Sequence, residues 1–215
     1  RTQGVVRVAA ITGAIGGLLV QALPKFALAH PEVAVHVRES DPEQWGLQLA
    51  RGDVDLAVVR EPAVTPAGYD FRPLIEDRFV VVCSPHHAIA KHRGVTWQRL
   101  SERTWLPQAV GSAAREVLDQ MMAAVGVQPR MVQVLTRVSS LTVALVEALD
   151  VLALVPLSVV RPWIDKGQLV VVAVRPEPPF RPLGIVVPAA QVTQATMTFV
   201  TFIEVEAAGR RVGPA

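Results

Sequence analysis

Apolar and polar positions follow two periods along this chain. Val5 to Ile11 is a β-rich run. Behind it, Ile15, Leu18, Leu19, Ala22, Leu23 and Phe26 fall on one helical face. Pro24 inside that pattern is expected to bend the helix or shorten its last turn. Val33 to Val37 alternates as a strand. Asp41-Pro42-Glu43 has the make-up of a helix start, with Asp as N-cap and Pro at the first helical position, and Gly52 that of a helix stop. Val54 to Val59 reads as a buried strand. The order β-α-β-α-β predicts parallel strands joined by helical crossovers.

The later pattern predicts strands at 72–75 and 79–83, a helical turn at 97–102, and a helix opening at Gly111-Ser112 and stopping at Gly126. It continues with a strand from Met131 to Val138, a helix capped by Ser139-Ser140, a strand from Val151 to Val155 and a short helix opened by Pro156. Gln168 to Val174 and Leu183 to Val187 read as strands, with a Pro-rich connector at 175–182 between them. A last helix carries Val192, Thr196, Phe199 and Ile203 on one face. The fold class expected is α/β, as two Rossmann-like lobes. The chain is expected to build lobe I from 1–77 and 183–215 and lobe II from 78–182, crossing near 77 and returning near 182.

Composition narrows the function. The chain has 215 residues, enough for one large domain or two lobes of about 100 residues each. A 51% hydrophobic content excludes a disordered chain. Mean hydropathy of +0.35 raises the question of a membrane. A long stretch without a charged residue, 183–203, holds Gly184, Pro188, Gln191 and Gln194, and 8–24 is interrupted by Gly13, Gly16 and Gly17. Neither reads as a bilayer span. Lys and Arg number 21 against 19 Asp and Glu, for a formal charge of +2. The Arg210-Arg211 pair is the only basic cluster and reads as a solvated tail, so no nucleic-acid surface is expected in this chain. The single cysteine, Cys83, reads as a small buried hydrophobe and fits a reducing cytosol.

Catalytic and metal patterns find no support. His86, His87 and His92 match no common zinc spacing. Asp53 and Asp55 share a strand face but read as loop and strand-start residues. There is no Gly-x-Ser-x-Gly elbow, and Gly13, Gly16 and Gly17 fit neither a P-loop nor a dinucleotide fingerprint. No enzyme activity, metal or cofactor is expected. The chain begins with Arg1 rather than Met and reads as a piece of something longer, or a processed product.

The order of several short motifs resembles the effector-binding (regulatory) domain of LysR-type transcriptional regulators over nearly the whole chain. Gly4-Val-Val-Arg7-Val8 resembles the family's opening strand. Leu18-Leu19 with Phe26-Ala-Leu-Ala-His30-Pro31-Glu-Val33 resembles its first helix and the phrase after it, and Glu39 follows in the expected place. Leu49-Ala-Arg-Gly52-Asp-Val-Asp55-Leu-Ala57 resembles the most specific phrase, L-x-x-G-x-x-D-hydrophobic-A. Pro73-Leu74, Val80 to Ser84, His87-Ala-Ile-Ala90, Val155-Pro156 and Gly167-Gln-Leu169 complete the series. Two departures stand out. Val20 occupies a usual proline position, with Pro24 one turn later, and Leu149-Asp150-Val151-Leu152 replaces a Gly-x-Gly loop. There Asp must supply the left-handed turn that Gly normally makes.

The resemblance implies a hinged, periplasmic-binding-protein type II-like pair of lobes and a cytoplasmic homodimer or homotetramer. Dimerisation would run through the first lobe's helix against the partner's second lobe. DNA would be bound only through a winged helix-turn-helix absent from this chain, with no membrane association. The expected partner is a small, anionic effector held between the lobes, where strand C-termini and helix N-termini face a ligand. The candidate residues are Thr12, Gly13 and Ala14 after the first strand, Asp41 after the second, Arg60 after the third, and Gln108, Ser139 and Ser140 in the second lobe. Each has a purely structural alternative: Thr12, Asp41, Ser139 and Ser140 as helix caps, Arg60 as a surface charge paired with Glu61. Two other classes share such lobes, an extracytoplasmic solute-binding protein of a transport system and an enzyme such as a dehydratase or deaminase.

Overall fold

Strand β1 (Gly4–Ala10) buries Val6 and Val8 on one face, then runs wholly buried through Ala9 and Ala10. The computed structural model describes residues 4–175 and 178–210. The Arg210-Arg211 pair falls across that limit, and its reading as a solvated tail lies outside the described residues, as does part of the Pro-rich connector. After β1 the chain enters one continuous helix: α1 (Thr12–Ala14), a π-helical turn (Ile15–Leu19) and α2 (Val20–Ala29). Pro24 does not shorten it, because the helix continues to Ala29. Next come β2 (Val33–Glu39), α3 (Trp45–Ala50), β3 (Leu56–Arg60) and a long β4 (Tyr69–Cys83). The strands expected at 72–75 and 79–83 are thus one strand of 15 residues.

Two units divide the chain, one formed by Arg1–Asp77 with Arg181–Ala215 and the other by Arg78–Phe180. The chain leaves the first unit along β4 and returns along β9 (Pro179–Pro188). In the first unit the strand order is β2-β1-β3-β9-β4. β1 runs parallel to β2 and β3, while β9 is antiparallel to β3, pairing Leu183 with Arg60 and Val186 with Ala57. Leu56 to Val59 is buried at every position, as a strand covered on both faces requires. The last helix is α8 (Gln194–Arg210). It packs on β1 and α2, with Phe199 and Phe202 each edge-on to Phe26 at 5.2 Å. The helix Thr12–Ala29 is long and apolar enough to cross a membrane by length and composition. Its Ala14, Leu18, Leu19, Ala22 and Phe26 are nevertheless buried in the core of this unit, as in a core helix.

The second unit contains α4 (Trp97–Ser101), β5 (Thr104–Trp105), α5 (Ala113–Ala124), β6 (Arg130–Met131), α6 (Ser139–Leu149), β7 (Ala153–Pro156), α7 (Leu157–Asp165) and β8 (Val170–Val172). The end of β4 pairs antiparallel with both β7 and β8. β5 runs parallel to β6, and Trp105 bridges to Leu152 at the start of β7. Alternation along β4 builds two cores from one strand. Phe79, Val81 and Cys83 pack with Trp97, Trp105, Leu118 and Met122, while Val80 and Val82 pack with Val143, Val146 and Val160.

Three expectations need correcting here. The strand expected from Met131 to Val138 ends at Met131. Its partner β5 stops at Trp105, the last rung is the Val132 N–H to the Trp105 carbonyl at 3.1 Å, and Pro107 has no N–H to continue the ladder. Asp41 is not a helix N-cap. Its carbonyl accepts from the Gln44 N–H at 3.0 Å in a turn, and α3 begins later, with Gln44 in the capping position. Ser139 and Ser140 do not cap α6 either, because they lie inside its first turn behind Val138. Asp150, by contrast, adopts the left-handed conformation expected of it, with φ 52° and ψ 46°, directly after α6.

Candidate functional site

The parallel register sets the candidate residues of the first unit in a row. Ala10 pairs with Glu39 on one side and with Val58 on the other, so β1, β2 and β3 end at nearly the same level. The Ile11 N–H reaches the Val58 carbonyl at 3.2 Å and the Ser40 N–H the Ala10 carbonyl at 2.9 Å, which ties the three exits together. Thr12, Gly13 and Ala14 open the long helix just beyond β1, Asp41 lies exposed beyond β2, and Arg60 closes β3. The helix has no side-chain cap, and the amides of a first turn find no acceptor within their own helix. Gly13 and Ala14 are buried, and Thr12 is half-buried.

Two of these side chains are already engaged. The Thr12 hydroxyl donates to the Glu39 Oε1 at 2.8 Å. The Arg60 guanidinium donates to the Asp77 Oδ2 at 2.8 Å and to the Arg181 carbonyl at 2.5 Å. The Arg60 side chain is 13% exposed and that of Asp77 1%. Burial pulls the Arg60 pKa down, while the Asp77 charge and hydrogen bond oppose that shift. Arg60 is therefore an internal fastener rather than a surface charge paired with Glu61. Asp77 is the last residue of the first unit before the chain leaves it, and Arg181 is the first on its return, so one side chain holds both crossing strands. The sequence pattern does not single out Glu39 or Asp77 as partners. The signal for Glu39 is its position at the end of the strand beside β1.

In the second unit Gln108 is half-buried in the loop after β5, and Ser139 and Ser140 open α6, which lacks a side-chain cap. Other polar groups have structural partners. The Arg7 guanidinium grips Asp55 through Nε at 3.2 Å and Nη2 at 2.7 Å, and the Arg7 N–H donates to the same carboxylate at 2.7 Å. His87 is buried and its Nδ1 accepts from the Ile89 N–H at 3.1 Å, which leaves Nε2 to carry the proton of the neutral ring, 3.9 Å from the Asp150 Oδ1. Burial first, with Arg103 adding to it, holds the His87 pKa below its ordinary value against the pull of Asp150. Cys83 is a free, buried thiol, pushed up to about 12 by burial and by the Asp150 charge. Among the described residues no three His, Cys, Asp or Glu side chains stand close enough to hold a metal ion.

The profile of the LysR substrate binding domain matches residues 1–207. The chain belongs to that family. Among its curated relatives, the HTH-type transcriptional regulator GalR of Pseudomonas putida is 31% identical over 128 residues, which are 58% of this chain and 31% of the relative. The chain spans about a third of that relative's length. The regulatory domain of Synechocystis CcmR, solved in complex with 2-PG, superposes with a TM-score of 0.75 at 19% identity, covering 99% of this chain and 100% of the other. The effector binding domain of BenM with benzoate gives 0.72 at 17% identity, covering 100% and 97%. At these identities the two structures are likenesses of fold. This LysR-type domain has the periplasmic-binding-protein type II-like α/β fold of its family.

Proposed function

We propose that this domain senses a small organic anion and, through that binding, controls transcription by a longer LysR-type regulator. The family match over residues 1–207 carries the reading. The row of loop residues at the ends of β1, β2 and β3 supports a ligand site there, and benzoate in the BenM domain, a carboxylate, supports an acidic effector. The candidate effector contacts are Thr12, Gly13, Ala14, Asp41 and Arg60 in the first unit, and Gln108, Ser139 and Ser140 in the second. Binding favours one arrangement of the domain by its differential affinity, and that bias is passed to DNA-binding segments outside this chain. The regulator works in the cytoplasm as a homodimer or homotetramer, without catalysis, cofactor or membrane association. Its relative GalR, named a transcriptional regulator, supports this reading over a transport protein.

Thermal unfolding against a panel of small organic acids tests it. At least one acid raises the midpoint of the wild-type domain, and Thr12→Trp and Ser139→Trp abolish that rise while leaving the ligand-free midpoint nearly unchanged. A rise that persists in both variants rejects the assigned site.

A further inference from the structure

The groove lined by His30, Met197, Phe202 and Val205 on α2 and α8 has nothing in the structure to say what covers it. The buried Cys83 and His87 are held by packing and by backbone, with no opening to a ligand. The rim of the first unit carries more, because its donors and acceptors can be counted.

An acidic effector needs donors, and the first unit's rim has spent its two obvious side-chain donors. A threonine hydroxyl has one hydrogen. That of Thr12 is committed to Glu39, which leaves the Thr12 oxygen only its lone pairs. The Arg60 charge is matched by a carboxylate buried to 1% exposure, and one Nη is turned to the Arg181 carbonyl. Glu39 itself is exposed at the end of β2, with lone pairs left on both oxygens, and the exposed Asp41 carboxylate follows two residues later. Glu39 and Asp41 therefore present acceptors and negative charge beside the start of the helix. Beside them, the first-turn amides of the helix offer donors. A ligand carboxylate placed against Glu39 would meet like charge, whereas a ligand hydroxyl or ammonium group there would complete the Thr12–Glu39 pair.

We infer that Glu39 is a specificity-determining residue that reads a hydrogen-bond donor, so the effector is an organic acid that also bears a hydroxyl or amino group. This rests on the effector reading above and narrows it. The bare acid, lacking the donor, leaves Glu39 desolvated with only the Thr12 hydroxyl to offset it, and discrimination is strongest for the ammonium form because both partners are charged.

The test is isothermal titration and thermal unfolding of the domain with two families of probes: succinate, malate and aspartate, and benzoate, 2-hydroxybenzoate and 2-aminobenzoate. At least one substituted acid binds about tenfold more tightly than its bare parent, the equivalent of one charge-assisted hydrogen bond. Glu39→Ala removes the difference, and Glu39→Gln, which keeps an acceptor but not the charge, removes it for the ammonium of aspartate more than for a hydroxy form or the neutral amine of 2-aminobenzoate. Glu39 is exposed, so Glu39→Gln, which keeps an acceptor for the Thr12 hydroxyl, retains the wild-type midpoint without ligand. Equal binding of bare and substituted acids, unchanged by either substitution, overturns the inference and leaves the effector site standing. Binding by none of the six probes overturns both.

Discussion

Burial raises the Asp55 carboxyl, but the hydrogen bonds and charge of Arg7 outweigh it and hold the carboxyl below its ordinary value. A carboxyl depressed in the folded state contributes stability that is present above the unfolded value and is lost as pH falls through the folded one. The window therefore lies below about pH 4. Asp55→Asn is expected to lower stability by about 1 kcal/mol at neutral pH, a figure kept small because the Arg7 side chain is 46% exposed. Urea unfolding at a series of pH values checks this, with the gap between wild type and variant closing as the medium is acidified below that point. Cys83 offers a second check. A fully buried thiol held as its protonated form does not attack disulfide reagents. Labelling by such a reagent is expected only at the rate of unfolding. At this scale the sequence discloses residue types but few partners. The L-x-x-G-x-x-D phrase marks Asp55, while Arg7 lies 48 positions earlier and is joined to it only through the adjacency of β1 and β3.

Among the elements, the junction between α6 and β7 is strained by design of the sequence. Asp150 holds a left-handed conformation that glycine adopts freely. Its carboxylate is 72% exposed and 3.9 Å from His87, so little is lost by deleting it. Asp150→Gly is expected to stabilise the domain by about 0.5 to 1 kcal/mol, read as a higher urea midpoint with an unchanged slope. This turn is legible in advance because αL conformation depends on local residue chemistry. So is the alternation of strands and helices through β3, since period and burial coincide there. The stretch 132–138 is not, because its apolar pattern resembles a strand while pairing depends on a neighbour cut short at Pro107. The caps read at Asp41 and Ser139 also mislead. A polar residue before an apolar run marks a turn or a first helical turn as readily as a cap.

At the scale of the molecule, Arg60 stands at the junction of the two crossing strands. Removing it strips the guanidinium from a buried carboxylate and frees the Arg181 carbonyl. Arg60→Ala is expected to cost about 3 kcal/mol. Arg60→Lys is expected to recover little, since an ammonium point charge does not span both acceptors as the planar fork does. Urea denaturation of the purified domain measures both. Strand ends and family order lead the eye to Arg60, but its role as a fastener emerges only once β4 and β9 are seen to leave and re-enter the first unit beside it.

The place of β9 between β3 and β4 bears on how the chain is made. Leu183 to Val186, from near the end of the chain, pair with Ala57 to Arg60. The second unit is continuous in sequence and is complete once Phe180 has been synthesised. The first is not. While a ribosome adds the residues between, β3 waits with one apolar edge unpaired and the face of β1 lacks α8. An unpaired edge of this kind invites pairing with other chains. Nascent chains arrested before Leu183 are therefore the species in greatest need of chaperone cover, and the first part of the domain to be synthesised is the last to close.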